Sequence, residues 1–205
     1  MTTARPPRYS DIQAAAKAAA LDALRRGDGP EAAARAAMDA AENFLAHAVE
    51  AIGLHEQMAA IRCAAGCSHC CHQMVGVTSA ELALLRRCIE ALPPSARGRV
   101  RARIKKVAAR GKGLDQRGWW LARLRCPLLE DDGKCLVHAD RPLPCRAMNS
   151  YDVDICRRSH GGERLQVPML AAQHRIHAHA QSGLIEALKE TGADPTVHNM
   201  ALALA

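Results

Sequence analysis

The sequence predicts a mainly α fold: a helical scaffold carrying an irregular cysteine-rich segment and one small β-hairpin. Three observations predict it. Alanine supplies 41 of the 205 residues, and alanine has the highest helix propensity. Only five residues are aromatic, so the core is built from small side chains that suit closely packed helices. The nine cysteines are not scattered as generic small hydrophobes would be: none precedes residue 63, four fall within 63–71, one stands at 88, four lie within 126–156 and none follows.

The helices can be read in order. Residues 10–26 open with Ser10 and Gln13 in a capping-box spacing and run through alanines to Leu21 and Leu24, before Gly27 and Gly29 stop them. Asp28, Pro30 and Glu31 start a longer helix in which Ala34, Met38, Ala41, Leu45, Ala48 and Ile52 recur at intervals of three and four. These two form an antiparallel pair. Residues 63–72 lack helical periodicity and read as a loop, followed by an extended piece near Val75–Val77. Thr78 or Ser79 then caps a helix over about residues 80–92, ended by Pro93-Pro94, and Ser95 caps the next, over about 95–111. Asp131-Asp132-Gly133-Lys134 is a turn sequence between Leu128-Leu129 and Leu136-Val137, the expected hairpin. A last helix spans about 169–190, with Met169, Ala172, Ile176, Ala180, Leu184, Ala187 and Leu188 as its stripe and Gly192 as its stop. The organisation expected is an N-terminal helical pair (1–60), a cysteine-cluster domain (61–160) and a C-terminal helix and tail (161–205), packed as one unit.

Composition excludes several classes. Charged residues at 24% are incompatible with wholesale disorder. No apolar stretch approaches the roughly 18 to 20 residues of a membrane span, and Met1–Ala20 places arginines, prolines and Asp11 where a secretory signal has its apolar core. The expectation is a cytoplasmic protein, where thiols stay reduced and cysteine clusters bind metal more often than they form disulfides.

Short spacings on a flexible loop bring thiolates within reach of one zinc or iron ion. Cys63-x3-Cys67-x2-Cys70-Cys71 supplies such a loop, and Cys126, Cys135, Cys145 and Cys156 bring the total to eight. Adjacent side chains on an extended backbone point in opposite directions, so Cys70 and Cys71 cannot easily chelate one tetrahedral ion together. Two sites, or one polynuclear site, follow. Cys88 differs: it sits at a helical interval from Leu84 and Leu85 and reads as a core thiol.

With these residues in view, the chain resembles the cysteine-cluster proteins of the YkgJ type, described as a zinc- or iron-chelating domain. The resemblance rests on Cys63-x3-Cys67-x2-Cys70-Cys71, on Val77-Thr78 with Glu81, on Cys126-Pro-Leu-Leu, on Gly133-Lys-Cys135, and on Arg141-Pro-x2-Cys145-Arg146, across residues 63–156. It departs after Cys135, where relatives often carry an aromatic and this chain has Leu136-Val137-His138. The resemblance implies eight metal-binding cysteines, with Cys156 the eighth, and a zinc or iron–sulfur cofactor. It implies metal binding and not a particular reaction, although some relatives are labelled iron–sulfur oxidoreductases and a flagellin lysine methylase carries a comparable cluster.

Other readings weigh less. Cys63-x3-Cys67-x2-Cys70 is also the spacing of radical enzymes that use S-adenosylmethionine, but those need repeated strand–helix units that this chain lacks. His69, His72 and His138 flank the thiols and are expected outside the coordination sphere, since eight sulfurs fill two four-coordinate sites. His174, His177 and His179 are expected on a solvated helix face, Trp119 and Trp120 over the cysteine-rich segment, and Arg141 and Arg146 as donors that hydrogen-bond carbonyls or offset thiolate charge. Residues 97–112 carry eight lysines and arginines and no acid; without interleaved aromatics this reads first as an ordinary solvated face and second as one that could meet an acidic protein or a nucleic acid. The formal charge of +7 overstates this basicity: eight thiolates with two divalent ions change it by −4, to +3. Asp152, Asp154 and Glu130 lie among the cysteines at no spacing that marks a general base. The expectation is therefore a metal-binding protein with a structural, storage or redox role rather than an enzyme. The alternatives are an iron–sulfur oxidoreductase or transferase, and a metal-stabilised module that binds nucleic acid or protein.

Overall fold

The computed structural model describes residues 7–205; the start of the segment read above as unlike a signal sequence, residues 1–6, lies outside them. The protein is mainly α, 63% helical, with ten helices and a two-stranded antiparallel sheet among the described residues. None of those helices is long and apolar enough to cross a membrane.

Three long helices make the alanine-rich core. In α1 (Tyr9–Arg25) Ile12, Ala16, Ala20 and Ala23 are buried, and in α2 (Pro30–Ile52) Ala34, Met38, Ala41, Leu45 and Ala48 are. Ile52, the last member of the expected stripe, is half exposed because Gly53 turns the chain away there at φ 69°. The α1 start also differs from expectation. Asp11, not a Ser10–Gln13 pair, closes it by accepting from Arg8 N at 2.8 Å, and Gln13 instead donates to Glu186 Oε1 at 2.6 Å. Both Glu186 and Ile176, Ala180, Leu184 and Leu188, which are buried, belong to the long C-terminal helix, over Ala171–Glu190, which packs on α1 and α2. Small side chains allow this approach. A Cβ at Gly183 would stand 2.3 Å from Gln13 O and 2.9 Å from Lys17 N.

A second core lies beside the first. The short helix α3 (His55–Ala59) leads to the cysteine loop and then to strand β1 (Gly76–Thr78). Helix α4 (Ser79–Glu90) is capped by Thr78, whose side chain accepts from Glu81 N, and α5 (Pro94–Gly111) starts from Pro93 with Pro94 in its first turn. Ser95 thus lies inside the helix and is not its cap. Val77, Leu85, Ile89, Val100, Ile104, Leu128, Val137 and Met200 bury one another here.

Between residues 112 and 170 the chain makes three further short helices: α6 (Gln116–Leu121), α7 (Leu143–Ala147) and α8 (Val153–Gly161). The long helix Ala171–Glu190 is therefore α9, followed by β2 (Val197–Asn199) and α10 (Met200–Ala203). The sheet is β1 against β2, with Val77 opposite His198, and was not expected. The expected hairpin around Asp131–Lys134 is reduced to one antiparallel bridge, Leu129 to Cys135, closed by Glu130 N donating to Lys134 O at 2.8 Å.

Gly183→Ala tests the close α1–α9 approach. Alanine favours an exposed helix by up to about 1 kcal/mol over glycine, but here its methyl must push two backbones apart, at a cost of about 1–3 kcal/mol. Thermal unfolding followed by circular dichroism should show a lowered midpoint; a raised one contradicts the packing account.

Candidate metal centre

Backbone contacts fix the two cysteine segments against each other. Arg62 N donates to Ser150 O at 2.9 Å, and Cys126 N donates to Cys71 O at 2.8 Å. Gly66 and Gly133 both hold positive φ, 90° and 79°, and meet backbone to backbone: a Cβ on Gly133 would lie 2.5 Å from Gly66 O. At Gly133 no other residue type satisfies both the positive φ and that approach. A 3₁₀ turn over His69–His72 presents Cys70 and Cys71, the bridge at Leu129 presents Cys135, and α7 presents Cys145. Cys156 rides on α8, which packs against the 3₁₀ turn.

The result is a chamber of about 1060 Å³ whose lining includes Cys63, Cys67, Cys70, Cys71, Cys126, Cys135 and Cys145, and no aspartate or glutamate. Cys156 stands beside Cys63 and Cys67, where its charge adds to the burial that raises both thiols' pKa. Cys88 is elsewhere, in a pocket of about 310 Å³ with Arg35, and its thiol donates to Asp140 Oδ2 at 3.3 Å. All nine cysteines are free thiols. Among the described residues no three His, Cys, Asp or Glu side chains already stand in a geometry that holds an ion.

The electrostatics divide the thiols into two neighbourhoods. Cys63 is pushed up by burial and then by Cys67, Cys70 and Cys156. Burial pushes Cys126 up to about 12, with Cys135 and Cys70 adding to it, and Cys145 rises by burial and by Cys126, Cys70 and Cys135. Cys70 belongs to both groups and is raised first by its hydrogen bond with Cys71 and then by burial. These thiols are neutral near pH 7 without a cation, so ligation must displace their protons. The donor set is sulfur-rich and free of carboxylate, which suits zinc or an iron–sulfur centre and not a hard oxygen-seeking cation.

The two arginines expected near the thiols separate. Arg146 is spent on structure, donating to Glu42 Oε1 at 3.0 Å, Arg141 O at 2.9 Å and Ala139 O. Arg141 lines the chamber, and its charge favours the thiolate at Cys70 and Cys135, although burial dominates at Cys135 and the Cys71 bond at Cys70. The tryptophans separate too: Trp119 is buried with Leu124 and Ala201, while Trp120 meets His160 edge-on at 5.8 Å.

His160 escaped sequence reasoning. Its ring lies tilted against those of His72, at 4.3 Å, and His69, at 5.9 Å, beside the cysteine loop. The available signal was its spacing of four from Cys156, which places both on one face once residues 153–161 are helical. His138 and His174 line the chamber. His177 corrects the solvated-face expectation, for it is buried with Nδ1 2.8 Å from Gln173 O and Nε2 3.4 Å from Glu42 Oε1. His179 is half-buried and stacks on Tyr9 at 5.3 Å.

The hydrogen bond with His177, reinforced by Arg146, holds the Glu42 carboxyl down at about 2. Because that value lies below the ordinary 4.5, the stabilisation is fully present above about pH 4.5 and is lost as pH falls through about 2. Glu42 is half exposed, so after discounting for solvent screening the effect is about 1 kcal/mol. Urea midpoints measured between pH 6 and pH 2.5 should fall less steeply for Glu42→Gln than for the wild type, and identical slopes contradict the assignment.

A model of the family CxxCxxCC, described as "Putative zinc- or iron-chelating domain", matches residues 62–166. No curated protein and no solved structure matches the chain.

Proposed function

The chain belongs to the CxxCxxCC family of zinc- or iron-chelating domains, and we propose that it holds its metal through eight cysteines: Cys63, Cys67, Cys70, Cys71, Cys126, Cys135, Cys145 and Cys156. The observation that carries this reading is the convergence of thiols from two segments on one chamber that no carboxylate lines. Cys63, Cys67 and Cys156 form one group and Cys126, Cys135 and Cys145 another, each completed by one member of the adjacent pair Cys70-Cys71, which extends between them. Arg141 offsets the charge of the thiolates.

When bound, zinc supplies a structural cross-link, and iron–sulfur supplies one-electron redox chemistry. Four thiolates around each ion leave no open position for a hydrolytic water, so a structural, storage or redox role fits better than hydrolysis. Free thiols in this number suit a reducing compartment such as the cytoplasm. Elemental analysis and an absorption spectrum of anaerobically purified protein test the reading: colourless protein with zinc, or brown protein with iron and sulfide. Cys67→Ala and Cys135→Ala should lose metal and Cys88→Ala should retain it; equal retention in all three contradicts the ligand set.

A second reading concerns α5. Arg97 and Arg101 pair with Glu90 and Arg103 pairs with Glu130, whereas Arg99, Lys105, Lys106, Arg110 and Lys112 have no ion pair among the described residues. This exposed basic face could dock an acidic protein or a nucleic acid. Affinity for a DNA duplex should then fall steeply with salt and be lost when Lys105, Lys106 and Arg110 are neutralised; absent or salt-insensitive binding removes the nucleic-acid partner.

A further inference from the structure

Glu81 is fully buried at the start of α4, and no cation pairs with it among the described residues. An exposed capping glutamate needs only the amide it caps. This one is completely desolvated and uses both oxygens. Oε2 accepts from Thr78 N at 2.9 Å, Thr78 Oγ1 at 3.0 Å and Gln181 Nε2 of α9 at 3.0 Å. Oε1 reaches across the fold to accept from Leu143 N at 2.8 Å.

Leu143 lies between Pro142 and Pro144, neither of which has an N–H, so its amide is the one backbone donor of that tripeptide. It is also the first residue of α7, where the amide has no partner within the helix. Two residues on stands Cys145, whose own N–H bonds back to Pro142 O at 2.9 Å. The carboxylate thus fixes the helix turn that aims the Cys145 sulfur into the chamber, and it does so from the same elements, β1 and α4, that follow the first cysteine segment.

We infer that Glu81 is a positioning residue for Cys145: its buried carboxylate sets the orientation of α7, and with it the second group of thiols, for metal. The inference rests on the metal-binding reading above. Loss of this one hydrogen bond acts on Cys145 and leaves Cys63, Cys67 and Cys156 in place. Outer partners of metal ligands typically contribute about 10–100-fold in metal affinity.

Cobalt(II) tests this, because its thiolate charge-transfer absorption reports how many sulfurs it holds. The reduced, metal-free protein is titrated with cobalt(II) as wild type, Cys145→Ser, Glu81→Gln, and a chain with the α-hydroxy acid analogue of leucine at 143, whose ester removes the N–H donor and also weakens Pro142 O, the acceptor of Cys145 N. Glu81→Gln and the ester chain should reproduce the Cys145→Ser spectrum, with about 10–100-fold weaker uptake at the affected step and unchanged uptake at the other. An ester chain with wild-type spectrum and affinity overturns the inference, even where Glu81→Gln fails to fold. So does a Glu81→Gln protein that weakens every step equally, the behaviour of a residue that serves stability alone. Wild-type protein that takes up no cobalt overturns the metal-binding reading itself, a result distinct from either.

Discussion

Thiols more than fifty residues apart can serve one centre only if their backbones are held at fixed separation before any cation arrives. The bond from Cys126 N–H to Cys71 O, with the contact of Gly66 against Gly133, imposes this constraint. Neither interaction involves a sulfur atom. The segments are therefore registered by peptide groups, and the thiols are free to move by the small distances that ligation requires. This explains how seven thiols share one chamber while no three of them yet make an ion-holding group among the described residues.

The electrostatic state of the chamber follows from that arrangement. Burying thiolates without a counter-charge is unfavourable, so burial and mutual repulsion hold the thiols protonated, with Cys126 at about 12. A carboxylate in the lining would compete for the cation; among the described residues none lines the chamber, and Glu81 behind α7 adds to the repulsion at Cys145 without entering it. Arg141 adds a positive charge on the thiolate side, while Arg146 answers Glu42 outside the chamber. Two arginines five residues apart thus do different work because one has a carboxylate within reach and the other does not.

What could be read from the sequence follows the physics of each element. The helices α2, α4 and α9 announce themselves through apolar stripes repeated over several turns, and Cys88 is separated from the other cysteines by its place on such a stripe. The β1–β2 pair and the helices α6, α7, α8 and α10 are too short for any periodicity to register. They exist because tertiary contacts hold them, as Glu81 holds the first amide of α7. The role of His177 was hidden for a related reason. Its position on α9 is visible in the sequence, but the Glu42 that its Nε2 meets comes from α2, 135 residues away.

The candidate site shows the same division. Which residue types carry the chemistry is a local property of Cys63–Cys71 and of the motifs around Cys126, Cys135 and Cys145. Which thiols stand together is not, since Cys156 comes near Cys63 and Cys67 through the packing of α8 against the 3₁₀ turn. Cys70 feels both groups because its 3₁₀ turn lies between them, and its neighbour Cys71 lends the backbone oxygen that Cys126 binds. The adjacent pair is thus a mechanical junction between the two cysteine segments.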